Sequence, residues 1–334
     1  MRILIVSALA WALLAAQEPT FRATVPVVLV PVTVTDSKGR FVDGLTAADF
    51  ALLEDGRPKE FRMDAADAVV APLAIVIAVQ TNDLSATANL KVRKVGSLIQ
   101  PLITGDRGRA AVIGYGDAPV VLADFTRDPN LIEAAFLRTA ASQGGDAARQ
   151  IDAVAEAAQM LAARPANERK ILILIGESKD RGSKTKLAAA LRLLERDAVL
   201  VYAATWSPYE TAFTTKGTDM PQSGGDSADL LAGLQELGRL AKRDSANTLV
   251  KATGGEKLSF ATLKGLEKSL TRMGEELHSQ YLLSFPAKGV EPGFHQLEVR
   301  VVSRGGLSVR ARPGYWFGDI PGPKEQGQGP APAP

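Results

Sequence analysis

Residues 73–79 (Leu-Ala-Ile-Val-Ile-Ala-Val) form an unbroken apolar run, and residues 170–175 (Lys-Ile-Leu-Ile-Leu-Ile) form a second such strand, wholly apolar after Lys170. A strand without polar alternation has no face to give to water, so both faces must be covered by other elements. Between these runs the apolar spacing changes to that of a helix. Val95, Leu98, Ile99, Leu102 and Ile103 recur at helical intervals, and residues 130–139, 147–164 and 185–196 read as helices. Strands are predicted at 110–115 and 119–124, joined across Gly116-Asp117 as a hairpin, and at 198–204. Later come a helix at 229–241, a short strand at 257–260 and a helix at 263–278. Strands alternating with helices predict a doubly wound, mainly parallel α/β sheet over about residues 70–278.

The flanks are of another kind. Residues 25–35 end in Val-Thr-Val-Thr, a strand pattern, followed by a turn at 36–39. Residues 45–50 read as a short helical turn capped by Thr46, and residues 51–58 as a strand that reverses at Asp55-Gly56. Strands recur at 280–285, 294–303 and 307–312. Neither group holds enough strands to bury a face alone. Segments 24–66 and 280–316 are therefore predicted to pair as a small β-sandwich-like module into which the α/β domain is inserted. The Pro-, Gly- and Ala-rich residues 318–334 read as a disordered tail.

The chain opens on Met1-Arg2, continues apolar through residue 16 and places Ala15-Ala16 before Gln17-Glu18-Pro19. That pattern reads as a signal peptide over residues 1–16, with a secreted or periplasmic destination. There is no cysteine, which excludes disulfides, thiol catalysis and cysteine-held zinc. With 39 basic and 37 acidic residues and a net charge of +2, the chain has no basic surplus for nucleic acid. No apolar run reaches the roughly 20 residues of a membrane-spanning helix.

The order of elements resembles a von Willebrand factor A-type (VWA) domain. In that resemblance 73–79 is the first central strand, 110–124 the antiparallel edge pair and 170–175 the fourth strand. The flanking sequences 32–40 (Val-Thr-Val-Thr-Asp-Ser-Lys-Gly-Arg), 44–56 (Gly-Leu-Thr-Ala-Ala-Asp-Phe-Ala-Leu-Leu-Glu-Asp-Gly), 276–285 (Glu-Leu-His-Ser-Gln-Tyr-Leu-Leu-Ser-Phe) and 309–316 (Val-Arg-Ala-Arg-Pro-Gly-Tyr-Trp) are similar to the VWFA-related acidobacterial domain family. The likeness spans about residues 24–316. It implies a protein-binding or adhesion module with a metal ion-dependent adhesion site at the carboxyl ends of the strands. There an Asp-x-Ser-x-Ser loop, a Thr and an Asp would hold Mg²⁺ or a similar hard cation through oxygen.

The chain departs from that pattern at nearly every ligand position. Gln80 stands where the first Asp is implied, Asn82 and Leu84 replace the two hydroxyls, Gly144-Gly145-Asp146 replaces the Thr, and Glu177 replaces the last Asp. The expectation is a degenerate site that binds another protein through a metal-free face of Gln80, Asn82, Asp83, Ser85, Asp146 and Glu177, extended by the polar loop 207–227. The alternative is adhesion through Mg²⁺ or Ca²⁺ held by the shifted Asp83-x-Ser85-x-Thr87, a sequence that also suits a helix N-terminus. A third reading is a hydrolase whose site carries no motif, since no Gly-x-Ser-x-Gly elbow or Walker A sequence occurs. Gly114-Tyr115-Gly116 begins like a dinucleotide fingerprint but meets Pro119 at the third glycine position, so it reads as a hairpin turn. His278 and His295 lie outside any metal-ligand spacing, and Trp206 and Tyr209 flank the long loop as packed or interface aromatics.

Overall fold

The computed structural model describes residues 26–64, 72–82, 108–139, 145–165, 167–206 and 244–318. Its centre is a six-stranded sheet in the order β10-β9-β8-β5-β6-β7. The strands are β5 (Leu73–Gln80), β6 (Arg109–Tyr115), β7 (Pro119–Thr126), β8 (Arg169–Glu177), β9 (Leu200–Trp206) and β10 (Lys257–Ser259). All neighbours pair in parallel except the β6–β7 edge pair. The first strand therefore sits in the middle, with the edge hairpin on one side and β8 on the other.

Successive side chains on a strand point to opposite faces, so a wholly apolar strand feeds two cores. On one face Leu73, Ile75, Ile77 and Val79 pack with Ile171, Ile173 and Ile175 against two helices, α1 (Pro129–Arg138) and α5 (Leu263–Ser279). On the other face Ala74, Val76 and Ala78 meet α2 (Gln150–Ala162), α3 (Leu187–Arg196) and α4 (Ser245–Thr253). The alanines on this second face let α2 approach closely with its own Ala153, Ala157 and Ala158. Every residue of β5 is buried.

Helix ends follow local chemistry. Asp128 caps α1 by accepting from the Asn130 N–H, and Asp244 caps α4 by accepting from the Asn247 N–H. Helix α4 closes on Gly254 in the left-handed conformation (φ 83°). The sequence reading placed a helix at 229–241, outside the described residues, and did not place α4. Helix α2 starts later than residue 147, because Ala148 instead exchanges two backbone hydrogen bonds with Arg181 (2.9 and 3.0 Å).

The flanking strands interleave in two four-stranded sheets. One has the order β13-β1-β11-β4 and the other β14-β12-β2-β3. Their members are β1 (Val27–Thr35), β2 (Phe50–Glu54), β3 (Arg57–Pro58), β4 (Arg62–Asp64), β11 (Tyr281–Pro286), β12 (Gly293–Val301), β13 (Ser308–Ala311) and β14 (Gly314–Phe317). Val28, Val30, Val32 and Val34 on β1 meet Leu52, Leu283, Phe285, Leu297 and Tyr315 in a common core. The hairpin between β2 and β3 turns on Asp55 (φ 50°) and Gly56 (φ 75°), the pair of positive φ angles that a two-residue hairpin turn of this type needs. The short turn at Ala47–Asp49 begins at Thr46, whose N–H and hydroxyl both donate to the Asp49 carboxylate. Strand β14 overlaps the family-like segment 309–316 and lies beyond the last strand that the alternation predicts at 307–312.

A buried polar cluster fastens this module to the α/β unit. The Glu276 carboxylate on α5 is fully buried and accepts from Thr33 Oγ1 of β1 (2.9 Å), Tyr202 Oη of β9 (2.7 Å) and the Arg310 guanidinium of β13 (2.6 Å). Burial and the Glu276 charge together push the Tyr202 phenol well above its ordinary value. Arg169 at the start of β8 donates to the Leu277 carbonyl (2.9 Å) and to Gln280.

Candidate functional site

Gln80 ends β5 and Glu177 ends β8, so the parallel register brings them side by side at the carboxyl edge of the sheet. Both are buried, at 0% and 5% exposure, as is Asn82 at 0%. Gln80 Oε1 accepts from the Glu177 N–H (2.8 Å), and Gln80 Nε2 donates to Asn82 Oδ1 (2.9 Å). Asn82 Nδ2 in turn donates to the Asp146 carbonyl (3.3 Å). The two amides thus tie together the ends of β5 and β8 and the segment before α2.

A second layer lies beneath. Gln150, the first residue of α2, donates from Nε2 to the Glu177 carbonyl (3.0 Å) and accepts at Oε1 from Ser245 Oγ of α4 (2.7 Å). Tyr115, the last residue of β6, is fully buried, and burial pushes its phenol above the ordinary value. Three buried oxygens here have no hydrogen-bond partner: Thr81 Oγ1, Tyr115 Oη and Glu177 Oε1.

The positive charge at this edge comes from the chain itself. Glu177 Oε2 forms an ion pair with Arg181, whose side chain is 34% exposed. The segment from Asp180 to Thr185 is pinned on the start of α2. Asp180 accepts from the Ile151 N–H (3.0 Å), and Asp152 accepts from the Thr185 N–H (2.8 Å). Burial would raise the Asp152 carboxyl, but hydrogen bonds from Thr185 and Lys184 outweigh it and hold it below the ordinary range. Around this centre Asp117, Asp146 and Lys179 are exposed, giving a rim of mixed charge.

A hard divalent cation needs several oxygens free to face it. Gln80 Oε1 faces a backbone N–H, Asn82 Oδ1 takes the Gln80 amide, and Glu177 Oε2 meets a guanidinium, which leaves Glu177 Oε1 and Thr81 Oγ1 as too few oxygens for such an ion. Among the described residues no three acidic or histidine side chains converge. The described donors at this edge do not fit such an ion in the arrangement that the resemblance implies.

Of the residues singled out in the sequence, Gln80, Asn82 and Glu177 are brought together, with Asp146 joined through its carbonyl. Their amides point inward and are used by the protein, so Asp146 presents the exposed side chain of the four. Asp83, Leu84, Ser85, Thr87, Gly144, Tyr209 and the loop 207–227 lie outside the described residues, as do residues 1–16. Trp206 is packed edge-on against Phe260 (centroids 5.8 Å apart). His295 lies at the sandwich, where Nδ1 meets the Asp55 carboxylate (2.8 Å) and Nε2 the Glu291 carbonyl (2.8 Å), while His278 is exposed on α5. Arg181 and Gln150 carry no sequence motif, and Tyr115 reads only as a strand end at a hairpin turn. Tyr115 ends β6, Gln150 opens α2 and Arg181 lies in the loop after β8, element ends where periodicity carries little signal.

The sheet order, with the first strand central, an antiparallel edge pair and β8 beside β5, is the one that the resemblance implies. The α/β unit has a VWA-like fold. No protein-family model matches the chain, and no curated protein matches it. Similar solved structures include an aerotolerance-related membrane protein from Bacteroides fragilis (10% identity, covering 61% of this chain and 98% of that one, TM-score 0.42). Others are the SpRpn10 VWA domain (15%, 60% and 94%, 0.38) and the conserved hypothetical protein BatB from Bacteroides thetaiotaomicron (13%, 61% and 99%, 0.39). At these values the fold assignment rests on the strand order and pairing. No helix among the described residues is long and apolar enough to cross a membrane.

Proposed function

We propose that this chain is an extracytoplasmic protein-recognition module whose VWA-like crest engages its partner without a metal ion. The observation that carries this reading is the Arg181–Glu177 pair at the strand ends, where a tethered guanidinium occupies the electrostatic role of a bound cation. Open α/β sheets bind their ligands at this edge. Two backbone hydrogen bonds to Ala148 fix the Arg181 main chain, and the exposed part of its guanidinium keeps donors for a carboxylate. The inward amide network keeps the strand ends in place, so recognition falls to Arg181 and the mixed-charge rim of Asp117, Asp146 and Lys179. An acidic side chain of a partner protein is the matching chemistry. The signal-like start supports a secreted or periplasmic setting.

The test uses the chain lacking residues 1–16 as bait on an envelope fraction, with and without EDTA. Capture should survive EDTA and fall at least about tenfold with Arg181→Gln, the loss expected for a charge-assisted contact. Capture abolished by EDTA and by Asp83→Ala, with calorimetric uptake of Mg²⁺ or Ca²⁺, would replace this reading by metal-dependent adhesion through Asp83, Ser85 and Thr87. Capture indifferent to both EDTA and Arg181→Gln would remove the crest from the account.

A further inference from the structure

At the opposite end of the sheet, the sandwich and the amino ends of β8 and β9 part to leave a cleft of about 240 Å³. One wall is the outward face of the sandwich: Val27, Leu29 and Pro31 of β1, with Leu282 of β11 directly opposite Pro31. These residues face outward because their even-numbered neighbours Val28, Val30 and Val32 fill the sandwich core. The wall is wholly apolar, and Val27 at its mouth is 60% exposed.

The facing wall carries charge. Arg169 is spent on the Leu277 carbonyl and Gln280, Glu168 is forked by Arg164 (both contacts 2.8 Å), and Asp197 is held by Arg196 (2.6 Å). Lys170 is the exception: among the described residues its ammonium forms no ion pair or hydrogen bond, although the side chain lines the cleft partly buried. Burial pulls its ammonium below the ordinary lysine value, and the nearby Asp197 only partly offsets that. A partly buried cation whose neighbouring carboxylates, Glu168 and Asp197, are engaged by Arg164 and Arg196, set across from an apolar wall, is complementary to a ligand with an anionic head and an apolar body.

We propose that this cleft binds a small amphipathic carboxylate, its head on Lys170 and its chain along Val27, Leu29, Pro31 and Leu282. The volume falls below the range of about 300–1,000 Å³ for drug-sized ligands, which restricts the occupant to a short chain. The site is separate from the crest, so the two readings stand or fall independently.

Calorimetry of the chain lacking residues 1–16 with octanoate, and with octanol as the uncharged match, tests it. Octanoate should bind at least about tenfold tighter than octanol. Lys170→Met, which keeps the stem and removes the charge, should erase that preference, Lys170→Arg should retain it, and Lys186→Met at an exposed site should leave it unchanged. Circular dichroism and the melting temperature of each variant establish that it folds. No octanoate binding at millimolar concentration, equal binding of octanol, or full octanoate affinity in a folded Lys170→Met protein would each overturn the proposal.

Discussion

Gly176 is the point at which the crest tolerates least change. A Cβ at this position would lie 2.1 Å from Tyr115 Oη, 2.9 Å from Gln80 Oε1 and 3.1 Å from Gln80 Cβ. Ordinary heavy-atom contacts are at about 3.5 Å or more. Tyr115 is fully buried in the α2-side core and Gln80 is held by its hydrogen bonds, so neither can move aside cheaply. Overpacking of this kind costs about 1–3 kcal/mol. Displacing the Gln80–Glu177 hydrogen bond adds about 1 kcal/mol. Gly176→Ala should therefore destabilise the protein by about 3 kcal/mol, which lowers the melting temperature by roughly 6–12 °C for a unit of this size. Tyr115→Phe removes the closest atom. Because that hydroxyl has no hydrogen-bond partner, the single change should be close to neutral or slightly stabilising. In the Tyr115→Phe background, Gly176→Ala should cost about half as much, a coupling of at least about 1 kcal/mol between the two sites. Urea denaturation of the four proteins, followed by circular dichroism, measures the cycle. A cost below about 0.5 kcal/mol for Gly176→Ala, or a cost undiminished by Tyr115→Phe, would refute the packing argument, since both lie outside what overpacking at this contact allows.

Two further outcomes follow from buried charge. Glu276→Ala removes the acceptor shared by Thr33, Tyr202 and Arg310, and should cost about 3 kcal/mol, chiefly because the buried Thr33 and Tyr202 hydroxyls lose their acceptor while Arg310 keeps the Gly254 carbonyl and Glu256; calorimetric unfolding that splits into two transitions would show that this cluster couples the sandwich to the α/β unit. Burial on α3 pushes the Glu195 carboxyl from its ordinary 4.5 up to about 7, against the opposing charges of Arg312 and Arg192. A folded-state value above the unfolded one means stability that is full below about pH 4.5 and is lost as pH rises through about 7. His295 acts with the same sign: burial opposes its protonation, but Asp55 and the Glu291 carbonyl outweigh that and raise it above 6.5. The check is therefore a difference. Glu195→Gln should lose less stability between pH 5 and 8 than the unaltered chain, and identical pH profiles would contradict the burial of this carboxyl.

Much of the architecture could be read from local pattern. The uninterrupted run at 73–79 demanded two covering layers, and α1 and α5 on one face and α2, α3 and α4 on the other supply them. The Asp55-Gly56 pair marked its hairpin because the left-handed conformation at both positions suits few other residues. Helix α4 was missed although Ala246, Leu249, Val250 and Thr253 keep helical spacing, because its nine residues include three β-branched ones that weaken the pattern. At the crest, the residue types drew attention to the right strand ends, but the pairing of Glu177 with Arg181 was not legible. Four residues apart in a loop, unlike four apart in a helix, fixes no distance.

The sequence by itself determined the period of each element, and with it the layered sheet and the two β segments that need each other. Period is a local property, set by which neighbours along the chain share a face. The tertiary structure alone decided that Gln80 and Asn82 turn inward. Their partners stand 97 and 64 residues away, at the Glu177 N–H and the Asp146 carbonyl. A polar side chain at a strand end is stable in water or in the interior, provided its hydrogen bonds are met. Only the three-dimensional arrangement brings in the distant groups that meet them.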